Sequence, residues 1–196
     1  MTMIKYGILL LLLFGGLQVQ AQEAGTHETH IAIGAVSSND ILDITNNIVV
    51  SALTIGEVSY RQEAESPSVS LTYKYTLRPQ LQLFADATFQ RIDERILING
   101  TPDDKIENTF YTIGVGASYQ YLTARWFQMY GSTSLGLTIH HSQYDGNMDG
   151  FEDGTDSYMN FQVSPVGLRF GYDFAGFIEL GFGYKGLINS GFAFRF

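Results

Sequence analysis

Between positions 145 and 156 the chain reads Asp145-Gly146-Asn147-Met148-Asp149-Gly150-Phe151-Glu152-Asp153-Gly154-Thr155-Asp156, with acid or amide side chains at loop positions 1, 3, 5, 9 and 12 and glycine at position 6. Hard oxygen ligands at such intervals wrap one Ca²⁺, and the glycine permits the sharp turn between them. Asp145, Asn147, Asp149, Asp153 and Asp156 are therefore the candidate metal ligands. Two departures stand beside this reading: Asp156 replaces the usual bidentate glutamate, and no helical pattern flanks the loop. The same residues also read as a solvated acidic loop. Just upstream, His140 and Ser142 stand two residues apart with Glu152 downstream, the residue types of a base, a nucleophile and an orienting acid. Alternation puts His140 and Ser142 on the inward side of a strand, where they read as rim polar residues, and no catalytic residue is assigned.

A third set consists of charges on inward positions of alternating segments: Lys74, Asp86, Arg169, Glu179, Lys185 and Arg195. Arg169, Glu179 and Arg195 fall on three successive strands near the same end. The expectation is that Glu179 sits between two guanidiniums and accepts paired hydrogen bonds.

The elements that would hold these residues show period-two patterning, apolar on one face and polar or glycine on the other. Eight such segments follow one another. The first, residues 30–37, turns out Ile31, Ile33 and Ala35. The second, 68–77, turns out Val69, Leu71, Tyr73, Tyr75 and Leu77 against Ser68, Ser70, Thr72, Lys74 and Thr76. The third opposes Leu81, Leu83, Ala85, Ala87 and Phe89 to Gln80, Gln82, Phe84, Asp86, Thr88 and Gln90, and the fourth runs outward from Tyr111 to Tyr121. The fifth covers 127–141. In the sixth, Phe161 and Val163 share one register and Val166 and Leu168 the other, the one-residue shift that a bulge at Ser164-Pro165 would produce. The seventh turns out Ile178, Leu180, Phe182 and Tyr184, and the eighth Phe192, Phe194 and Phe196.

Short turns at Arg78-Pro79, Thr123-Ala124 and 173–176 alternate with connections read as longer, acidic loops at 40–43, 57–65, 103–107 and 145–156, while the last connection, 187–190, is short. Ile41, Ile44, Ile48, Ala52 and Ile55 recur at helical intervals, so a short amphipathic helix capped by Asn39 or Asp40 is expected in the first long connection, with Ile48-Val49-Val50 as an extension of strand the alternative.

Composition narrows the class. Lys5 ahead of the apolar run 8–14, then Val19-Gln20-Ala21, reads as an export leader over residues 1–21, leaving one domain over 22–196. The formal net charge of −9 becomes −10 once Lys5 is removed, which argues against a nucleic-acid partner. With no cysteine there is neither a disulfide framework nor a thiolate metal site nor a cysteine nucleophile. The chain is 45% hydrophobic, yet after the leader no run is long enough for a spanning helix, and alternation is how a membrane barrel carries such hydrophobicity. A soluble β-sandwich also alternates. Against it stand outward aromatics near strand ends (Tyr73, Tyr75, Tyr119, Tyr121, Phe127, Tyr172, Tyr184 and Phe196) and a polar, glycine-rich inner face. The expected fold is therefore all-β, an eight-stranded antiparallel up-and-down transmembrane β-barrel.

The run Asn189-Ser190-Gly191-Phe192-Ala193-Phe194-Arg195-Phe196 resembles the assembly signal of the small eight-stranded outer-membrane barrels, the OmpA/OmpX-like superfamily and its porin-like relatives. The resemblance covers nearly all of residues 22–196. It implies the cell outer membrane as location, membrane lipid and the barrel-insertion machinery as partners, and no cofactor beyond the Ca²⁺ that the acidic loop would take. The implied role is non-enzymatic, structural or surface-interacting through the external loops, with an external ligand that the sequence does not identify. A narrow passive porin is the alternative. A lipid A-modifying hydrolase stands further back: small barrels of that kind use a His-x-Ser pair with a downstream Glu, but Gln143 stands here where they carry Asn.

Overall fold

The computed structural model describes residues 23–39, 58–98, 101–145 and 153–196. Nine strands follow in order: β1 (His27–Ala35), β2 (Val58–Glu65), β3 (Ser68–Arg78), β4 (Leu81–Ile98), β5 (Thr101–Thr123), β6 (Phe127–Asp145), β7 (Gly154–Gly171), β8 (Phe174–Gly183) and β9 (Ile188–Arg195). All pair antiparallel, in the order β2-β4-β3-β1-β9-β8-β7-β6-β5, and a further β4–β5 pairing closes the ring. β2 and β3 both lie along β4, Glu65 opposite Ile92 and Val69 opposite Phe89. They form one stave interrupted at Ser66-Pro67, so the closed wall has the eight expected up-and-down staves.

The interruption has a local cause. Proline has no N–H to give to the ladder. Ser66 bridges the gap: its backbone N–H and its hydroxyl both donate to the Arg91 carbonyl (3.0 and 2.8 Å), and the hydroxyl accepts from the Arg91 N–H (2.9 Å).

Alternation decides the two faces almost throughout. On β3, Val69, Leu71, Tyr73, Tyr75 and Leu77 are exposed while Ser68, Ser70, Thr72, Lys74 and Thr76 are buried. A chain that exposes Ile113, Val115, Leu135 and Met159 yet buries lysines and glutamates has its polar side inside. Water does not stabilise such a surface, whereas hydrocarbon does. The expected shift at Ser164-Pro165 is present: the β7–β8 register slips between Val163 and Val166, and Pro165 and Val166 both face outward.

Several expectations are corrected. Residues 58–65 and 103–107 are strand, not loop, because β2, β4 and β5 continue as one paired sheet well past the apolar band, and the expected loop 145–156 is strand at 145 and 154–156, where β6 ends and β7 begins. Gln80 lies exposed in the β3–β4 turn rather than inward. The turn between β7 and β8 is confined to Tyr172 and Asp173, and the last connection is 184–187 instead of 187–190. Tyr184 is fully buried rather than part of an outer girdle. β8 stops at Gly183, whose φ of 141° lies in a region open mainly to glycine, and the chain then turns into the lumen. β1 starts three residues earlier than expected, and Ser37 lies beyond it. Helix does begin near the expected place, at Ser38, but its cap is Ser37, whose Oγ accepts from the Asn39 N–H at 3.2 Å. The leader and residues 40–55, over which the rest of the expected helix was read, lie outside the described residues.

Candidate functional site

Eight staves leave an interior that side chains can fill, and here three tiers of charge fill it. At the short-turn end, β1 continues its alternation back to Glu28, which is the direct cross-strand neighbour of Arg195 on β9. Glu28 Oε2 accepts from Arg195 Nε (2.9 Å) and pairs with Nη2 (2.8 Å), Oε1 accepts from Arg169 Nε on β7 (3.3 Å), and His30 Nε2 contacts Oε1. Arg169 also donates through Nη1 and Nη2 to the carbonyls of Gly171 and Tyr172 (3.4 and 2.7 Å), and Arg195 Nη2 reaches Gln128 Oε1 at 3.1 Å. The expected carboxylate between two guanidiniums therefore exists, but it is Glu28 and not Glu179. Placing the start of β1 at His30 hid it, although the alternation Glu28, His30, Ala32, Gly34 was there to be extended.

Glu179 instead belongs to the middle tier. It accepts from the Tyr130 hydroxyl (2.7 Å) and from Asn189 Nδ2 (3.4 Å), and it lies 3.8 Å from Lys74 Nζ. The Lys74 ammonium also stands over the rings of Tyr130 and Phe84, 4.6 and 5.7 Å from their centroids. Cation–π contact adds to the ion pair where water is excluded.

The third tier is made by the turn that follows β8. Lys185 Nζ lies 2.8 Å from Asp86 Oδ2 and 3.2 Å from Thr72 Oγ1. The Tyr184 hydroxyl donates to Asp86 Oδ1 (2.8 Å), so in its 2.7 Å bond with Ser134 the Ser134 hydroxyl donates and the Tyr184 hydroxyl oxygen accepts. Ser68 donates to the Lys185 carbonyl (2.9 Å), and Gln162 Oε1 accepts from the Lys185 N–H (2.9 Å). The turn lies so close to β1 that a Cβ at position 34 would stand 1.7 Å from the Lys185 carbonyl oxygen, which accounts for Gly34. Nothing in the local pattern marks Tyr184 as inward, because the glycine that redirects the chain also occurs at ordinary strand positions.

Above these tiers lies an uncharged layer at the long-loop end. Asn39, buried, donates through Nδ2 to Gln90 Oε1 (3.2 Å) and accepts at Oδ1 from Tyr158 (3.0 Å) and Asn160 Nδ2 (3.2 Å). Ser37 donates to Gln90 Oε1 (2.7 Å) and Ser38 to Asn160 Oδ1 (3.1 Å).

The expected Ca²⁺ ligands are only partly within view. Asp145 ends β6, opposite Lys105. Asp153 Oδ1 accepts from the Tyr144 N–H at 2.9 Å, and Asp156 sits on β7 opposite His140. Asn147 and Asp149 lie outside the described residues, and among the described residues no group of three potential ligands converges. His140 Nε2 bonds Asn108 Oδ1 (3.0 Å) and its ring stacks on Phe110, with centroids 4.5 Å apart. Phe110 is buried, so His140 faces the inner rim as its alternation implies. Glu152 lies outside the described residues.

No family model matches the chain, and no curated protein matches it. Among solved structures it is similar to the N-terminal β-barrel domain of Pseudomonas aeruginosa OprF, with a TM-score of 0.49 and 14% identity over 89% of this chain and 100% of that one. It is also similar to Ail, the attachment invasion locus protein of Yersinia pestis, in complex with the heparin analogue sucrose octasulfate, with a TM-score of 0.46 and 11% identity over 89% of this chain and 100% of that one.

Proposed function

We propose that this protein is an integral barrel of the bacterial outer membrane, closed to solutes, that works as a structural and surface-interacting element through the part of its wall that projects from the membrane. The observation that carries this is the length of β4, β5 and β6. On β5 the outward apolar band runs from Tyr111 to Tyr121, eleven residues, which suits a tilted spanning strand. β5 nevertheless starts at Thr101, ten residues before Tyr111, so the sheet continues roughly 30 Å past the band at ~3.3 Å per residue. Its outward positions change character there. Phe89 and Tyr111 give way to the exposed ion pair of Arg91 with Asp93 and Glu107, and to His141 bonded to Thr155. A wall that only had to span the bilayer would end at the aromatic row, whereas this one presents a polar, paired β-surface to the medium.

The test is to replace residues 94–106 by a two-residue turn and to compare cells carrying the trimmed and full-length proteins. Adhesion to surfaces and to other cells is expected to fall, with the folded barrel retained. Equal adhesion would overturn the role of the projecting wall, and large, stable conductance steps in planar bilayers would favour a porin instead.

A further inference from the structure

The outer wall carries one continuous trough. A cross-strand row runs through Tyr75 on β3, Leu83 on β4, Ala117 on β5, Thr133 on β6 and Val163 on β7, each the direct ladder partner of the next. Leu83 lies two residues from the short-turn end of its strand, Thr133 six and Val163 eight. With strands tilted by about 35–45°, the row therefore climbs from the short-turn rim toward the middle of the wall. Small side chains at Ala117 and Thr133, with Ala85 beside them, leave a hollow between the taller Tyr75 and Leu135. Two adjoining cavities of about 820 and 360 Å³ share Ala117 and Thr133 and make the trough continuous down to Tyr119 and Tyr121.

At the foot of the trough these two tyrosines lean apart. The Tyr119 hydroxyl donates to Gln80 Oε1 in the β3–β4 turn (3.1 Å), whereas the Tyr121 hydroxyl lies over β6, where a Cβ at position 131 would stand 2.1 Å from it. The turns on either side of this opening carry Arg78 and Arg125, both exposed. The Arg125 guanidinium stands 5.7 Å from the centroid of the Tyr172 ring. Neither arginine has an ion-pair partner among the described residues, although the chain as a whole is acidic, with a net charge of −9. The other basic side chains described, Lys74, Arg91, Arg169, Lys185 and Arg195, are all paired. The two cations left over thus flank the open end of an apolar trough.

We propose that the trough seats one acyl chain of an anionic phospholipid whose phosphate lies at the rim between Arg78 and Arg125. Such a lipid offers hydrocarbon and then negative charge in the order in which the wall presents its apolar and basic groups. A second copy packed on the same face about a two-fold axis would instead bring both rims' arginines together with nothing to neutralise them. The site rests on the proposed membrane location. Which leaflet supplies the lipid follows from the orientation and does not alter the chemistry.

Trp126, the sole tryptophan, is exposed and adjoins Arg125, so it reports on lipid at this rim. The full-length barrel is reconstituted in phosphatidylcholine vesicles, and quenching of Trp126 by brominated phosphatidylglycerol is titrated against quenching by brominated phosphatidylcholine. Phosphatidylglycerol is expected to be preferred about 25-fold, about fivefold for each arginine. Arg78→Gln and Arg125→Gln should each lower the preference about fivefold, and Ala117→Phe, which fills the trough and leaves both arginines, should remove most of it. These positions lie on the outer surface, so heat-modifiable migration should be unchanged. Ala85→Phe fills the same trough from β4 and replaces Ala117→Phe if that variant folds poorly. Equal quenching by the two lipids would overturn the site, as would a preference that survives filling of the trough, which is general surface attraction only. A cross-linked dimer that excludes the brominated lipid would give the trough to a second copy and overturn the site too. Quenching by neither lipid would refute the membrane location on which the site rests.

Discussion

Replacing Glu28 by alanine should destabilise the barrel more than any other single removal of an acid among those whose partners are described. Glu28 is 2% exposed and stands between Arg169 and Arg195, with His30 against it. Its loss leaves two guanidiniums facing one another across a space from which the neutralising charge has gone. Breaking such a buried set by removing one partner costs about 3–5 kcal/mol, because the remaining charges are left uncompensated. Glu179→Ala should cost less, since the Lys74 ammonium keeps its contacts with the rings of Tyr130 and Phe84. Glu107→Ala is the control: its partner Arg91 is 44% exposed at the side chain, where solvent screens the pair, so its loss should leave the stability nearly unchanged.

The assay is urea unfolding of the three variants in lipid vesicles, read by tryptophan emission from Trp126 and by heat-modifiable migration. With a slope of about 1–3 kcal/mol per molar urea, Glu28→Ala should lower the midpoint by at least ~1 M. The Glu28→Ala/Arg195→Ala double variant should recover part of that loss, because it removes one of the two orphaned guanidiniums. If Glu28→Ala and Glu107→Ala shift the midpoint equally, the arginines are separately hydrated and the closed, paired lumen is wrong.

Three further outcomes are expected. Deleting Phe196 removes a ring stacked on His27 and the two backbone bonds that zip the termini together (Phe196 N–H to His27 O, 2.9 Å, and His27 N–H to Phe196 O, 3.1 Å), so less folded barrel should reach the membrane, as measured by heat-modifiable migration. Tyr184→Phe keeps the ring but removes the hydroxyl that serves Asp86 and Ser134, and should lower stability by about 1–3 kcal/mol in the same urea assay. On ligand spacing alone, millimolar Ca²⁺ should protect residues 145–156 from proteolysis at a Kd of roughly 10⁻⁴ to 10⁻³ M, and Asp149→Ala should abolish the protection. Equal binding by that variant in calorimetry would reduce the segment to a charged surface.

What the sequence made legible was whatever period two governs. Side chains on β3 sort correctly because each residue's face follows from its neighbour's, and the bulge at Ser164-Pro165 showed as a change of phase in an otherwise regular pattern. What it hid follows from the same rule. Alternation says which face a residue takes but not how far a strand runs, so the acids of β2 and of the early part of β5, which break the apolar alternation, passed for loops. Nor does alternation survive a glycine at positive φ, and Tyr184, one residue past Gly183, was placed outward by a count that had already ended. The exchange of Glu28 for Glu179 is a third kind of error. Both were available inward acids near two arginines, and only the β1–β9 register, with Glu28 directly opposite Arg195, decides between them.

That register also explains why the interior is charged at all. Ladder hydrogen bonds join each stave only to its two neighbours, so a ring of eight can flatten without breaking one of them. Beside the neighbour pairs Glu28–Arg195 and Glu179–Asn189, three lumen contacts join staves that are not neighbours: Arg169 on β7 to Glu28 on β1, Lys74 on β3 to Glu179 on β8, and Asp86 on β4 to the turn after β8. Each sets a distance across the barrel, and each is strong only where water is excluded. An apolar interior would fill the same space, but its non-directional contacts would leave the cross-section free to distort. The charges thus do two things through one geometry. They set distances across the barrel, and the packing that makes them effective, with Phe84 and Tyr130 beside Lys74, fills the lumen at that level, which is what the proposed closed barrel requires.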